Sequence, residues 1–133
     1  MEKNGRSFGI LIVEIDPASR AQIESWIREA ELGEIFIATE IPHALKALET
    51  GKIDCVIGTW ELLGAAGGLS LLKLIKLEER FRHIAFVMVS SPSPDEAEKV
   101  RAARAAKADG YLLKPLNESA VKTLVEEIRA KQK

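Results

Sequence analysis

The chain of 133 residues holds one cysteine, Cys55, so no disulfide can form within it. That cysteine sits inside an apolar run and reads as a buried, inert thiol. The only histidines, His43 and His83, lie far apart, and no Cys/His spacing suits zinc. An excess of one charge is also missing: 19 Lys and Arg face 20 Asp and Glu, for a net charge of -1. No stretch concentrates either sign, which argues against a large nucleic-acid footprint. No apolar stretch approaches the ~20 residues that a membrane span needs. Met1 to Phe8 is polar and lacks a signal-peptide core, so the expected location is cytoplasmic. A glycine-rich dinucleotide fingerprint, a nucleophile elbow and an activated histidine or cysteine are all absent, which speaks against an enzyme.

What remains is an ordinary globular composition, 47% hydrophobic and 29% charged, on a length that suits one domain with a real core. Residues 1–133 read as a single domain with its core over 8–130, without linker, repeat or low-complexity segment. Five short apolar runs alternate with five longer amphipathic segments. Phe8 to Val13 is rich in branched residues with no polar alternation, as in a strand covered on both faces. Asp16 and Pro17 then supply an N-cap and a first helical residue. The helix over Ala18 to Leu32 places Ala18, Ile23, Trp26, Ile27 and Ala30 on one face, with Gly33 as its stop.

Glu34 to Ala38 is the second strand, and Pro42 to Glu49 a short helix with Ala44, Leu45 and Leu48 inward, closed by Gly51. Ile53 to Gly58 is the third strand. A loop of small residues follows over Leu62 to Gly68, in which Gly64, Gly67 and Gly68 free the backbone. Leu69 to Leu77 is a strongly apolar helix, and Ile84 to Val89 the fourth strand. Ser93, Pro94 and Glu96 read as N-cap, first helical residue and capping box of a helix to about Lys107. Asp109 to Leu113 is the fifth strand, and Asn117 caps a last helix to about Lys131. This alternation predicts an α/β doubly wound parallel sheet with right-handed crossovers and helices on both faces. A site in such a sheet lies at the carboxyl ends of the strands, near the switch in strand order.

Those ends carry Glu14, Ile15 and Asp16, then Thr59, then Ser90 and Ser91, then Lys114. The stretches around them are Ile12-Val-Glu-Ile-Asp-Pro17 with Arg20, Val87-Met-Val-Ser-Ser91, and Ala108-Asp-Gly-Tyr-Leu-Leu-Lys-Pro-Leu116. In order, spacing and placement they resemble the CheY-like receiver domain of two-component response regulators, from residue 8 to about 130. The resemblance implies a five-stranded, flavodoxin-like sheet of order 2-1-3-4-5 and a role in phosphorelay signal transduction. In that family an acidic pair after the first strand binds magnesium, and an aspartate after the third takes a phosphoryl group from a histidine kinase. A Ser or Thr after the fourth strand and a Lys before Pro contact the phosphoryl oxygens, and an aromatic residue of the fifth strand changes rotamer with them. The matching positions are Glu14 for the first acid, Ile15 for the second, Thr59 for the acceptor, Ser90, Lys114, and Tyr111 for the aromatic. The resemblance also suggests a cis Lys114–Pro115 bond, and the loop over Gly64 to Gly68 has one small residue more than the family's usual turn.

The departures bear on chemistry. A hard divalent cation needs oxygen ligands, preferably charged. Ile15 offers none, Thr59 a neutral hydroxyl, and Asp16, as a helix cap, is expected to face backbone amides. No cofactor is expected, and magnesium should bind weakly or not at all. Phosphoryl transfer needs both a metal and an attacking carboxylate. The expectation is a degenerate pseudo-receiver that is not an enzyme and signals by protein contact, with Lys114 pairing to Glu14. Its partner would be a histidine kinase, another regulator, a fused output domain, or a second copy, with no direct contact to nucleic acid or membrane. The resemblance points to the face of the fourth helix, fifth strand and fifth helix, where Tyr111, Arg101 and Arg104 lie beside an alanine-rich helix. The alternative is a switch that holds an anion or small molecule non-covalently, using Ser90, Lys114 and amides near Gly64 to Gly68.

Overall fold

The most apolar runs form the middle of one sheet. In the computed structural model, which describes residues 2–3, 6–62 and 67–132, Gly9–Val13 (β1), Cys55–Thr59 (β3) and Ala85–Ser90 (β4) are buried throughout. Helices cover both of their faces, which is why polar residues do not alternate along them. Glu34–Ala38 (β2) and Gly110–Leu113 (β5) are the edges and are partly exposed. All five strands run parallel in the order β2-β1-β3-β4-β5, the doubly wound flavodoxin-like arrangement. The crossovers are Pro17–Glu29 (α1), Ile41–Glu49 (α2), Gly67–Leu77 (α3) and Glu96–Ala105 (α4), and Glu118–Lys131 (α5) follows the last strand. A short antiparallel ladder joins Glu2–Lys3 to Arg6–Ser7.

Alternate residues of β1 feed two cores. Leu11 and Val13 meet Ala44 and Leu48 of α2, Leu71, Leu72 and Ile75 of α3, and Ala103 of α4. Ile10 and Ile12 meet Ile23 and Ile27 of α1 and Val125 and Ile128 of α5. Each fully buried aliphatic side chain contributes roughly 1.5–3 kcal/mol of transfer free energy. The register then aligns the carboxyl ends: Val13 pairs with Gly58, Thr59 with Val89, and Ser90 with Leu113. Glu14, Thr59, Ser90 and Lys114 therefore share one edge.

Several local readings change. Thr59 and Ser90 are the last residues of β3 and β4, not the first of the loops beyond, so the ladder itself holds them. Ala18 is exposed and Ser19 takes its place on the buried face of α1. Gly33 does not stop that helix. Glu31 does, at φ 52, with Leu32 N donating back to Ile27 O at 3.1 Å. Gly33 is required by a close approach instead, since a Cβ there would fall 2.2 Å from Phe8 O. Ser93 does not cap α4 either. Its hydroxyl donates to Asp95 Oδ1 at 2.6 Å, and Asp95 precedes the helix without a side-chain cap bond. Glu96 turns to other partners, so no capping box forms. Asn117 caps α5 as its sequence suggests, accepting from Ala120 N at 2.9 Å.

Candidate functional site

The end of β1 supplies one half of the site. Glu14 is 2% exposed, and its Oε2 accepts from Asp16 N at 3.0 Å. Arg20 Nη1 donates to the Glu14 carbonyl at 2.9 Å, which ties α1 to the strand end. Lys114 Nζ lies 3.1 Å from Glu14 Oε1. The contact is Coulombic more than directional, because that oxygen receives no well-aligned hydrogen bond. Lys114 is held in turn by its own amide, which donates to Ser90 O at 2.9 Å, and it precedes Pro115 through a cis peptide bond. Ile15 is half-buried against the core. Asp16 faces α1: its Oδ2 accepts from Ser19 Oγ at 2.7 Å and Ser19 N at 3.0 Å. The Ser19 hydroxyl, then the Ser19 amide, hold that carboxyl below its ordinary range.

The ends of β3 and β4 supply the other half, and Glu61 lies at its centre. Thr59, 1% exposed, donates its hydroxyl to Glu61 Oε1 at 3.3 Å. Ser90, fully buried, directs its hydroxyl to Glu61 Oε2 at 3.4 Å and Ser91 O at 3.2 Å. Ser91 adds its amide and hydroxyl, each at 3.4 Å from Glu61. Lys99 of α4, its side chain 8% exposed, brings its ammonium within 3.5 Å of the same carboxylate. Charge-assisted bonds usually close to about 2.7–2.9 Å, so the carboxylate is held by many long contacts, not by a single short one. Gly68, where α3 begins, lets that helix approach: a Cβ there would lie 2.1 Å from Thr59 O.

Lys99 links this centre to the rim. Its ammonium lies 5.3 Å from the centre of the Trp60 ring and 3.9 Å from Glu96 Oε1. Tyr111 donates its hydroxyl to Glu96 Oε2. Burial first, and the Glu96 bond second, push the Tyr111 phenol up to about 12. Arg101 and Arg104 are exposed on α4. Cys55 is fully buried on β3, and burial raises its thiol to about 12.

The candidates thus fall into two paired groups. Glu14 and Lys114 form one; Thr59 and Ser90 meet only through Glu61, which is balanced by Lys99. The Ile15 side chain joins neither, and Asp16 meets the first through its amide on Glu14 while its carboxylate caps α1. Glu61 and Lys99 went unrecognised in the sequence. Glu61 carries one cue, its place two residues beyond Thr59 at a strand end. Lys99 carries none, since a lysine in an alanine-rich helix ordinarily reads as a solvated one. Among the described residues, no three His, Cys, Asp or Glu are grouped so as to hold a metal ion. His43 instead lies 3.5 Å from Glu40. Gly64 lies outside the described residues, and the Gly68 amide is taken by Trp60 O at 3.1 Å. No helix among the described residues is long and apolar enough to cross a membrane.

A parallel sheet of this strand order, with an acid, hydroxyls and a lysine gathered at its carboxyl edge, defines a receiver-type module of two-component signalling. The response regulator receiver domain family matches residues 10–126, and the chain belongs to it. The chain is similar to the chemotaxis protein CheY of Pseudomonas aeruginosa, at 29% identity over 90% of this chain and 94% of that one. It superposes on a response regulator from Chloroflexus aurantiacus with a TM-score of 0.82 at 24% identity, covering 92% of this chain and 98% of that one. The receiver domain of a signal transduction histidine kinase from Syntrophus aciditrophicus gives a TM-score of 0.84 at 19% identity, covering 95% and 92%. Receiver domains are signalling modules in general, and they interact with histidine kinases and other proteins.

Proposed function

We propose that this receiver domain is a pseudo-receiver that passes its signal by protein contact, without a phosphoryl group on the residue at the end of β3. The observation that carries the reading is the Glu61 carboxylate, seated among Thr59, Ser90, Ser91 and Lys99. A phosphoryl group arriving at this edge would meet a fixed negative charge where it needs donors. The residue at the strand end is a neutral hydroxyl, and its bond to Glu61 does not supply the attacking carboxylate that an acyl phosphate requires. Lys114 is already neutralised by Glu14 at 3.1 Å.

The donor set does not fit magnesium either. Ile15 offers no oxygen, Asp16 is spent on the cap of α1, and an ammonium already lies beside Glu14. No enzymatic step and no cofactor enter this reading, and the domain acts in the cytoplasm. The same carboxylate weighs against the anion-sensing alternative at Ser90 and Lys114, since both groups already have an internal anion. A partner or second copy meeting α4, β5 and α5 would find Arg101 and Arg104 exposed beside Tyr111.

The test is incubation with a small acyl phosphate and magnesium, followed by intact mass and amide spectra with and without beryllofluoride. The expected result is an unmodified chain with unshifted amides at residues 59–61 and 90–91. A stoichiometric adduct, stable in acid and labile in alkali, would overturn the proposal.

A further inference from the structure

A groove of about 410 Å³ runs between α3 and α4, on a side of the molecule away from the strand-end site. Its apolar lining is Leu77, at the end of α3, with Ala102 and Ala105 of α4 and Ala106 just past its end. Leu77 is 79% exposed and lies one turn from exposed Lys73 and Leu74, on the face of α3 opposite its buried Leu71, Leu72 and Ile75, so its side chain has no core to fill. The charged lining is Lys73, Lys76 and Lys107, and no carboxylate lines the groove. Lys76 is committed, with Ile84 O at 2.8 Å and Asp109 Oδ2 at 3.0 Å. Lys73 and Lys107 have no acidic partner among the described residues. Lys107 also holds the left-handed position that closes α4, at φ 72, where glycine is the usual residue. The chain tolerates that backbone conformation and keeps a cation at the groove's edge.

We infer that this groove docks a helical segment of another protein that carries leucine-sized side chains one turn apart, flanked by carboxylates. The inference rests on the contact-signalling reading above and gives that contact a surface and a chemistry. Alanines at 102, 105 and 106 follow helical spacing and leave a shallow floor, into which side chains at i and i+4 of a second helix fit. Leu77 supplies the apolar wall, and two uncommitted ammonium groups select acidic flanks. Two such cations are too few for a polyanion: the chain is net negative, and nucleic acid or anionic lipid needs a wider basic patch.

The experiment titrates isotope-labelled chain with a synthetic capped helix bearing leucines at i and i+4 and glutamates beside them. Two control helices replace the glutamates by glutamine or the leucines by alanine. The expected result is saturable shifts confined to α3 and α4, with both controls weaker. Because Lys73, Leu77 and Lys107 are exposed, K73E/K107E and L77S should melt like the parent, and each should weaken the acidic helix by about tenfold or more. The inference is overturned by no saturable binding, by shifts mapping to β5 and α5, by affinity unchanged in K73E/K107E, or by equal binding of RNA or anionic vesicles. A concentration-dependent dimer abolished by L77S would overturn it in favour of a second copy. None of these outcomes touches phosphorylation, so the contact-signalling reading stands or falls separately on the acyl phosphate result.

Discussion

Glu14 and Lys114 meet at 3.1 Å across the carboxyl edge of the sheet, the acid almost fully buried and the lysine side chain 18% exposed. The unequal burial predicts unequal mutants. Lys114→Met leaves an uncompensated carboxylate inside the protein and should cost roughly 3–5 kcal/mol. Glu14→Gln leaves an ammonium that can still reach water and should cost only about 1–2 kcal/mol. The Glu14→Gln/Lys114→Met double variant should recover most of the larger loss. Urea melts of the four chains form the cycle that tests this. Equal single losses that simply add would mean that the pair is not coupled.

Glu61 accepts from the hydroxyls of Thr59, Ser90 and Ser91 and from the Ser91 amide, and the Lys99 ammonium lies 3.5 Å away, so its carboxylate occupies the donors at the ends of β3 and β4. Glu61→Gln should remove the charge while keeping the shape. Lys99, its side chain only 8% exposed, then keeps Glu96 at 3.9 Å as its nearest acid. The variant should lose stability, and added inorganic phosphate should raise its melting temperature while leaving the parent unchanged. A parent that gains as much from phosphate as the variant would show that the carboxylate does not mask the donors.

The fold was legible in the sequence because its cause is local. Branched runs with no polar alternation, such as Gly9–Val13, declare strands covered on both faces, and five of them separated by amphipathic helices leave few topologies. The placement of Glu14, Thr59, Ser90 and Lys114 at one edge follows from that topology and from parallel register. What stayed hidden depends on tertiary approach. Gly33 resembles a helix stop, yet its neighbour in space, Phe8 O, explains it. Ser93 and Glu96 have the spacing of a capping box, but Asp95 and Tyr111 compete for their side chains and win. Lys99 meets Glu61 only because α4 packs over the end of β4. A distance of that kind is written in no short stretch of sequence.

Tyr111 is the chain's one tyrosine, so its titration can be read without interference. Its phenol is shifted from 10.0 to about 12, by burial first and the Glu96 bond second. A raised folded value means that the neutral phenol is favoured by folding. The resulting stability is complete below pH 10 and is lost as the pH rises through about 12. Phenolate absorbance should therefore appear well above the range of a free tyrosine. In Glu96→Gln the carboxylate's part of the shift disappears while burial remains, so the midpoint should fall without returning to 10.0. A midpoint at the free value in the parent chain would place Tyr111 in solvent and sever the link from α4 to β5.

If the ligands rather than the fold are what this receiver lacks, oxygen donors placed at the two departing positions should bring a cation back. Ile15 sits next to Glu14 at the end of β1, and Thr59 ends the neighbouring strand β3. Ile15→Asp/Thr59→Asp would set two more carboxylates beside Glu14, with Glu61 close by. Like charges so near one another oppose folding, so without metal the variant should melt below the parent. A cation bound only by the folded state raises stability by RT ln(1 + [L]/Kd), so magnesium should restore what the added charges remove. The parent, with its ammonium at 3.1 Å from Glu14, should not respond. Melting curves over a magnesium series, with Trp60 emission in a Trp26→Phe background, separate the two chains. A parent that responds as strongly as the variant would mean that the edge holds a cation without the missing acids, and contact alone would no longer describe how this domain works.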